Sequence, residues 1–230
     1  MPKSSPLPHL SINVAMSADG KISTHGRETF ALGSSEDRRF MDVLRARSDA
    51  VIVGSRTVNL DGWAIRVRDA EVRRSRLNRG RSPHPLNVVM STQLNLPPNC
   101  QFFSYPRTEK LIITTREAPK HRIRRFEKYA EVFVLPASRI RPRAALRELQ
   151  RRGCKRILVE GGGELNFSFL SQKLVDELYI TITPRILGGR TAPTPVDGKG
   201  LLKNAQVRLQ LASSRRHGDE LFVRYRVIND

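Results

Sequence analysis

Residues 156–170 read RILVEGGGELNFSFL. The run Arg156–Glu160 is short, apolar and bounded by glycine, which marks a buried strand, and Glu164–Leu170 continues in a pattern that reads as a helix. A strand that passes through glycines straight into a helix is the unit from which sheets with crossover helices are built. At the carboxyl end of such a strand, backbone N–H groups and the helix dipole favour a phosphate, and ligands of open α/β sheets gather at that edge. The segment is neither a GxGxxG fingerprint nor a P-loop, since no Lys-Ser/Thr pair follows. A tight strand-to-helix turn without any ligand satisfies the same spacing.

The same alternation extends in both directions. Upstream, Leu10–Met16 reads as a strand ended by Asp19 and Gly20. Ser34 and Ser35 offer N-caps to a helix over Glu36–Arg47, whose Phe40, Val43 and Leu44 share a face, and Asp49–Gly54 is again a strand. Asn87–Ser91, Lys110–Thr115 and Glu131–Leu135 read as further strands, with a helix over Pro142–Arg152. Downstream, Glu177–Thr183, Gln206–Ala212 and Leu221–Ile228 alternate over longer stretches, which suggests an antiparallel finish. The expected architecture is α/β: a mostly parallel mixed sheet with an antiparallel C-terminal part and helices on both faces. Residues 9–230 are expected to form a single domain, preceded by a disordered tail at 1–8 and carrying a long functional loop at about 59–86, polar, Arg-rich and broken by Gly and Pro.

The chain has 230 residues, 39% of them hydrophobic, enough for a well-buried core. No apolar run approaches the roughly 20 residues that span a bilayer, and Met1–Pro8 lacks the apolar core of a secretion signal, so a cytoplasmic protein is expected. Cys100 and Cys154 stand far apart, and the histidines at 9, 25, 84, 121 and 217 show no paired spacing. Neither a disulfide framework nor a metal site is expected. The 41 Lys and Arg against 22 Asp and Glu, a formal +19, raise the alternative of nucleic-acid binding. The basic residues are dispersed, however, and no stacking aromatics or zinc finger accompany them, so a solvated basic surface is the preferred reading.

Several polar residues lie just beyond strand ends. Glu160 closes its strand facing the crevice that Gly161, Gly162 and Gly163 line, where a carboxylate can orient a polyol or manage a proton; an N-capping or ion-paired surface Glu fits the position equally. Asp19, Gly20 and Lys21 follow the first strand, and Thr57 and Asp61 follow the second; each cluster taken alone is an ordinary turn. Arg45 and Arg68 can grip a phosphate through the guanidinium fork, although spacing alone does not single them out among so many arginines.

Four segments together carry a resemblance: AMSADGK at 15–21, LRARSDAVIVGSRTV at 44–58, VEGGGEL at 159–165 and LVDELYITITPRILGG at 174–189. In order and spacing they resemble the reductase domain of the bifunctional riboflavin-biosynthesis deaminase/reductase, over nearly the whole chain from about Leu10. The resemblance implies a dihydrofolate-reductase-like fold, NADPH as hydride donor, a homodimer, and reduction of a ribosylaminopyrimidine 5′-phosphate to its ribityl product. It implies cofactor contacts at Ala15, Thr57, Asp61, Ser91, Gly161, Gly162, Gly163, Glu164 and Leu165. Substrate contacts are implied at Thr29, Arg45, Ile65 and Arg68, with Glu160 and Lys21 as the catalytic pair. Where the family commonly has DDPxL this chain has Asp61-Gly62-Trp63-Ala64-Ile65, and near Ala31 the family's frequent tryptophan is missing. The family's zinc deaminase half is not in these residues, so a separate deaminase is the expected partner. Two alternatives stand beside this one: a paralogue reducing another pterin-like or pyrimidine compound, and a non-catalytic basic nucleic-acid-binding protein.

Overall fold

The structure, a computed structural model, describes residues 6–28 and 30–229. Seven parallel strands come first in the chain: β1 (His9–Ser17), β2 (Ala50–Gly54), β3 (Leu86–Met90), β4 (Lys110–Thr115), β5 (Glu131–Leu135), β6 (Arg156–Val159) and β7 (Glu177–Thr183). The hairpin β8 (Arg208–His217) and β9 (Glu220–Ile228) follows, antiparallel within itself and against β7. The single sheet has the order β5-β4-β3-β2-β6-β1-β7-β9-β8, so β6 enters late in the chain between β1 and β2. Two carboxylates fix the register around it through the backbone, one joining β6 to the start of β2 and the other joining β1 to the start of β7. Asp49 Oδ2 accepts from the N–H groups of Lys155 and Arg156 at 2.8 Å each, and Asp176 Oδ2 accepts from Leu10 N at 2.7 Å.

The helices are α1 (Ser35–Arg47), α2 (Ser55–Leu60), α3 (Ala70–Leu77), α4 (Gln101–Ser104), α5 (Lys120–Phe126), α6 (Pro142–Arg151) and α7 (Gly163–Leu170). They cover both faces of the sheet, because alternate strand residues feed two separate cores. One core packs Leu10, Ile52 and Ile113 against Leu146, Leu149 and Phe169 of α6 and α7; the other packs Val51, Val89 and Ile112 against Leu44, Val58 and Phe126 of α1, α2 and α5. The expected mixed α/β architecture is the one observed. Leu7 packs against the first core and the Pro6 carbonyl accepts from Gln150 Nε2 at 2.7 Å, so the chain is already docked before His9, within the stretch expected to be a free tail. Among the described residues no helix is long and apolar enough to cross a membrane.

The polar segment after α2 is an anchored loop carrying α3. Arg76, 3% exposed, explains its attachment. Its guanidinium donates to the carbonyls of Ser48 (2.5 Å), Ala46 (3.0 Å) and Arg45 (3.4 Å) at the end of α1, and to Ser82 (2.7 Å) and His84 (3.4 Å) on the far side of the loop. One side chain thereby satisfies carbonyls that a helix C-terminus otherwise leaves without donors. Burial pushes its pKa down to about 10, with the Arg81 charge adding to the effect and Asp49 opposing it.

Candidate active site

The carboxyl ends of β1, β2 and β6, the outer face of α1 and the start of the long loop enclose a cleft of about 1130 Å³. On α1, residues Asp37, Arg38, Met41 and Arg45 line it, a spacing that brings one side of a helix to the cleft while Phe40 and Leu44 go to the core. The helix is fixed at its start by Ser34, whose hydroxyl accepts from Glu36 N and Asp37 N. Glu220 secures that cap in turn, accepting from Ser34 N at 2.7 Å and from its hydroxyl at 2.6 Å.

Glu160 and Arg45, 115 residues apart in the chain, meet as a bidentate pair with Nε–Oε1 and Nη2–Oε2 both at 2.7 Å. The Arg45 side chain is only 8% exposed and that of Glu160 10%. Burial opposes the Arg45 charge, and Glu160 more than offsets it, so the guanidinium pKa is raised. The remaining Nη1 donates to the Arg66 carbonyl at 3.0 Å. Arg45 was expected to grip a phosphate with its fork; the structure gives that fork to Glu160, so its first effect is to hold the carboxylate in one orientation.

Arg68 is arranged differently. Its backbone N–H and that of Asp69 donate to Asp42 Oδ2 at 2.8 Å each, which sets the loop across α1. Its guanidinium lines the cleft and makes no hydrogen bond or salt bridge among the described residues. Burial, followed by the charges of Arg45 and Arg66, lowers its pKa. Asp42 offsets part of this positive charge, and an anion at this point relieves the remainder. Asn87 pins the neighbouring Ile65, accepting from its N–H at 2.9 Å and donating to its carbonyl at 3.0 Å, while His84 Nδ1 accepts from Val67 N at 3.2 Å. Burial first, then surrounding arginines, push the His84 pKa down to about 4.

Opposite these cations, Gly54 and Gly161–Gly163 form a floor without side chains. Gly161 has φ +88°, a conformation open to glycine, and its carbonyl accepts from Gly54 N at 2.9 Å. The peptide Gly161–Gly162 is cis. A side chain at Gly163 would stand 2.5 Å from the Thr194 carbonyl and 2.6 Å from Asp197 Oδ2, so the loop at 193–197 closes directly onto the start of α7. The α7 N-cap, Gly162, contributes no side chain to cover the first N–H groups, and a Cβ there would reach to 3.8 Å of Thr57 Oγ1.

Of the residues the resemblance implied, Ala15, Thr57, Asp61, Gly161, Gly162, Gly163, Glu164 and Leu165 line this cleft together, as do Arg45, Ile65, Arg68 and Glu160. Lys21 and Ser91 do not. Lys21 sits in the β1 turn, where its N–H donates to Ser17 Oγ at 2.9 Å, and Ser91 is buried beside the end of β3. Asp19 of that turn accepts from Ser17 Oγ and from the N–H groups of Leu187 and Gly188, which lower its pKa to about 2 and give it a structural part. Thr29 lies outside the described residues. Sequence reasoning missed Asp37 and Asn13, both lining the cleft, although the spacing Asp37-Met41-Arg45 on one helix face could have drawn attention to the first. Trp63 and Phe30 stand at the cleft, 51% and 39% exposed, near the position where the family's tryptophan is missing.

Residues 8–223 match the RibD C-terminal domain family. A reductase of Archaeoglobus fulgidus named for 2,5-diamino-6-ribosylamino-4(3H)-pyrimidinone 5′-phosphate is 40% identical, over 87% of this chain and 91% of its own length. One of the same name from Methanothermobacter thermautotrophicus is 34% identical, over 96% and 98%. Among solved structures, a pyrimidine reductase-like protein of Corynebacterium diphtheriae superposes with a TM-score of 0.85 at 25% identity, covering 97% of this chain and 93% of that one. The matched residues run from the first strand into the start of β9 and so include every element that builds the cleft, and on that ground this chain belongs to the RibD C-terminal domain family.

Proposed function

We propose that this protein is a reductase of riboflavin biosynthesis that uses NADPH to convert the ribosyl side chain of a 2,5-diamino-6-ribosylamino-4(3H)-pyrimidinone 5′-phosphate into a ribityl chain. The observation that carries the reading is the division of the cleft: a glycine floor at the start of α7 on one side, and the oriented Glu160 with Arg68, whose pKa burial and neighbouring arginines lower, on the other. The floor fits a dinucleotide pyrophosphate, because the first N–H groups of α7 lack a side-chain cap and a Cβ at Gly162 would fill the space beside Thr57. Thr57, Gly161, Gly162, Gly163, Glu164 and Leu165 would hold the cofactor, with Ala15 and Asp61 beside them. Bound there, the reduced nicotinamide supplies a hydride equivalent.

On the substrate side, Arg68 holds the 5′-phosphate and fixes the far end of the molecule, which aligns the opened C1′ imine with the cofactor face of the cleft. Glu160, locked by both arms of Arg45, accepts hydrogen bonds from ribose hydroxyls and steers the proton released or taken up as the sugar ring opens. Arg45 acts through Glu160 as a positioning residue. We read the protein as a cytoplasmic homodimer working beside a separate deaminase. The exposed edge strand β8 supports the dimer and the family resemblance supports the deaminase.

The test is to mix the protein with NADPH and either the diamino pyrimidine phosphate or its deaminated form and to follow the reduced-nicotinamide absorbance. Turnover is expected, with KM for the pyrimidine phosphate raised on the order of 100-fold in Arg68→Ala. Tight NADPH binding with no turnover of either form would assign the cleft to another substrate.

A further inference from the structure

A corner of the cleft holds acceptors that the mechanism above leaves without a task. Asp37, on the first turn of α1, lines the cleft at 9% exposure and makes no salt bridge among the described residues. Gly33 passes directly over it: a Cβ on Gly33 would lie 2.2 Å from Asp37 Oδ2, so the carboxyl is wedged between the glycine backbone and the cleft. Across from it on β1, Asn13 lines the same cleft at 8% exposure, and its Oδ1 is buried with no hydrogen-bond partner. Asn13 and Ala15 face the same side of the sheet as their register partners Tyr179 and Thr181 on β7, which is the side α1 packs on.

The surrounding groups are already committed. Glu220 is taken by Ser34, Glu160 by Arg45, and Arg38 Nη1 donates to the Gly33 carbonyl at 3.4 Å. Burial raises the Asp37 pKa, the Thr181 hydroxyl lowers it, and Glu220 raises it again, with smaller opposing effects from Arg38 and Glu160. Asn13 Oδ1, a buried acceptor without a donor, costs about 1–3 kcal/mol unless a ligand brings an N–H group to it, and the Asp37 carboxylate, which meets the Thr181 hydroxyl, keeps acceptor capacity to spare.

Resting on the reductase reading, we propose that Asp37 and Asn13 form the subsite that reads the pyrimidine ring and that they select the 2-amino over the 2-oxo form of the base. Along α1 the eight steps from Asp37 to Arg45 rise about 12 Å, so a substrate whose phosphate meets Arg68 near Arg45 lays its ring at the Asp37 end. The edge of a 2-amino-4-oxopyrimidine presents N3–H and the two N–H bonds of its amino group. The Asp37 carboxylate accepts from N3–H and one amino hydrogen, and Asn13 Oδ1 accepts the other. The deaminated ring replaces the amino group with a carbonyl, which sets oxygen against carboxylate and leaves Asn13 unpartnered. A site built for donors rejects such an analogue strongly.

The experiment compares kcat/KM of the two base forms in the wild-type protein, Asp37→Asn and Asp37→Ala, with dissociation constants for both forms measured separately by calorimetry. The wild type is expected to favour the diamino form. Asp37→Asn keeps the shape but places an amide donor opposite the 2-position, which matches the deaminated ring, and is expected to move the ratio of kcat/KM values by about 100-fold toward that form. Asp37→Ala should bring the ratio toward one. NADPH affinity and the urea midpoint of each variant report whether the fold is kept. A ratio unchanged in both variants, with catalysis of both forms altered in parallel, would overturn the subsite. Absence of wild-type turnover on either form would instead overturn the reductase reading, and calorimetric selection between the two forms would still test Asp37.

Discussion

Replacing Arg45 by Met keeps the apolar stem and most of the volume but removes the partner of Glu160. In the structure Glu160 accepts twice, each time at 2.7 Å, with its side chain only 10% exposed. Removing one member of a buried pair costs about 3–5 kcal/mol, since the other charge is left with neither water nor partner. The cleft gives Glu160 some access to solvent, so we expect the lower end, about 3 kcal/mol. A chain of this length loses about 2–4 °C of Tm per kcal/mol, which makes the expected fall about 6–12 °C. Urea unfolding followed by circular dichroism gives the same quantity independently. The double variant Arg45→Met/Glu160→Leu removes both charges and should recover about 2 kcal/mol of the loss, while turnover stays abolished in both proteins. A single-variant cost below about 1 kcal/mol, or a double variant no more stable than the single, would refute the claim that Arg45 is what holds Glu160.

Other consequences follow from the loop and the glycine floor. Arg76→Met leaves the end of α1 and the Ser82 and His84 carbonyls without their donor; a loss of about 2–4 kcal/mol is expected in urea unfolding, with faster proteolysis within residues 61–85. Gly163→Ala forces the loop at 193–197 away from α7, and NADPH affinity measured by fluorescence should fall at least tenfold while the pyrimidine-phosphate affinity changes little. His84 has a folded pKa of about 4 against 6.5 in the unfolded chain, so the unfolded state binds more protons between those values. Stability is therefore complete above about pH 6.5 and declines as pH falls toward 4, by about 1–2 kcal/mol after allowing for partial solvent access. In His84→Gln that part of the slope should vanish from a series of urea midpoints, and an unchanged slope would remove His84 as its cause.

The strands were legible because burial wrote itself into the sequence. Lys110–Thr115, Glu131–Leu135 and Glu177–Thr183 have the expected bounds, and β1, β2, β3 and β6 differ by a residue or two at their ends. β8 was less legible: it begins at Arg208 rather than Gln206 and continues to His217, because every one of its residues is exposed and no alternation marks its limits. The helix α5, Lys120–Phe126, hid inside what reads as a basic cluster, with Ile123 and Phe126 as its only apolar contacts to the core. At the site, chain order placed Glu160 and the glycines at the carboxyl edge. It carried no sign that Arg45 would spend its fork on Glu160, or that Arg76, one of 41 basic residues, would be the one under the loop. Such partnerships depend on contacts between distant segments, which periodicity does not record.

The position of β6 has a consequence for how the molecule comes into being. Ile157 pairs with Leu10 on one side and Ala50 on the other, so two strands made early must wait, with open edges, for one made much later. Pairing across such sequence separations is slow, and during synthesis no rearrangement of the first half can replace the missing strand. The residues that follow β6 are Glu160 and the three glycines. Filling the gap between β1 and β2 and bringing in the glycine floor are therefore one event on the ribosome's clock, and the loop at 193–197 and the Glu220 contact to the α1 cap are added after it.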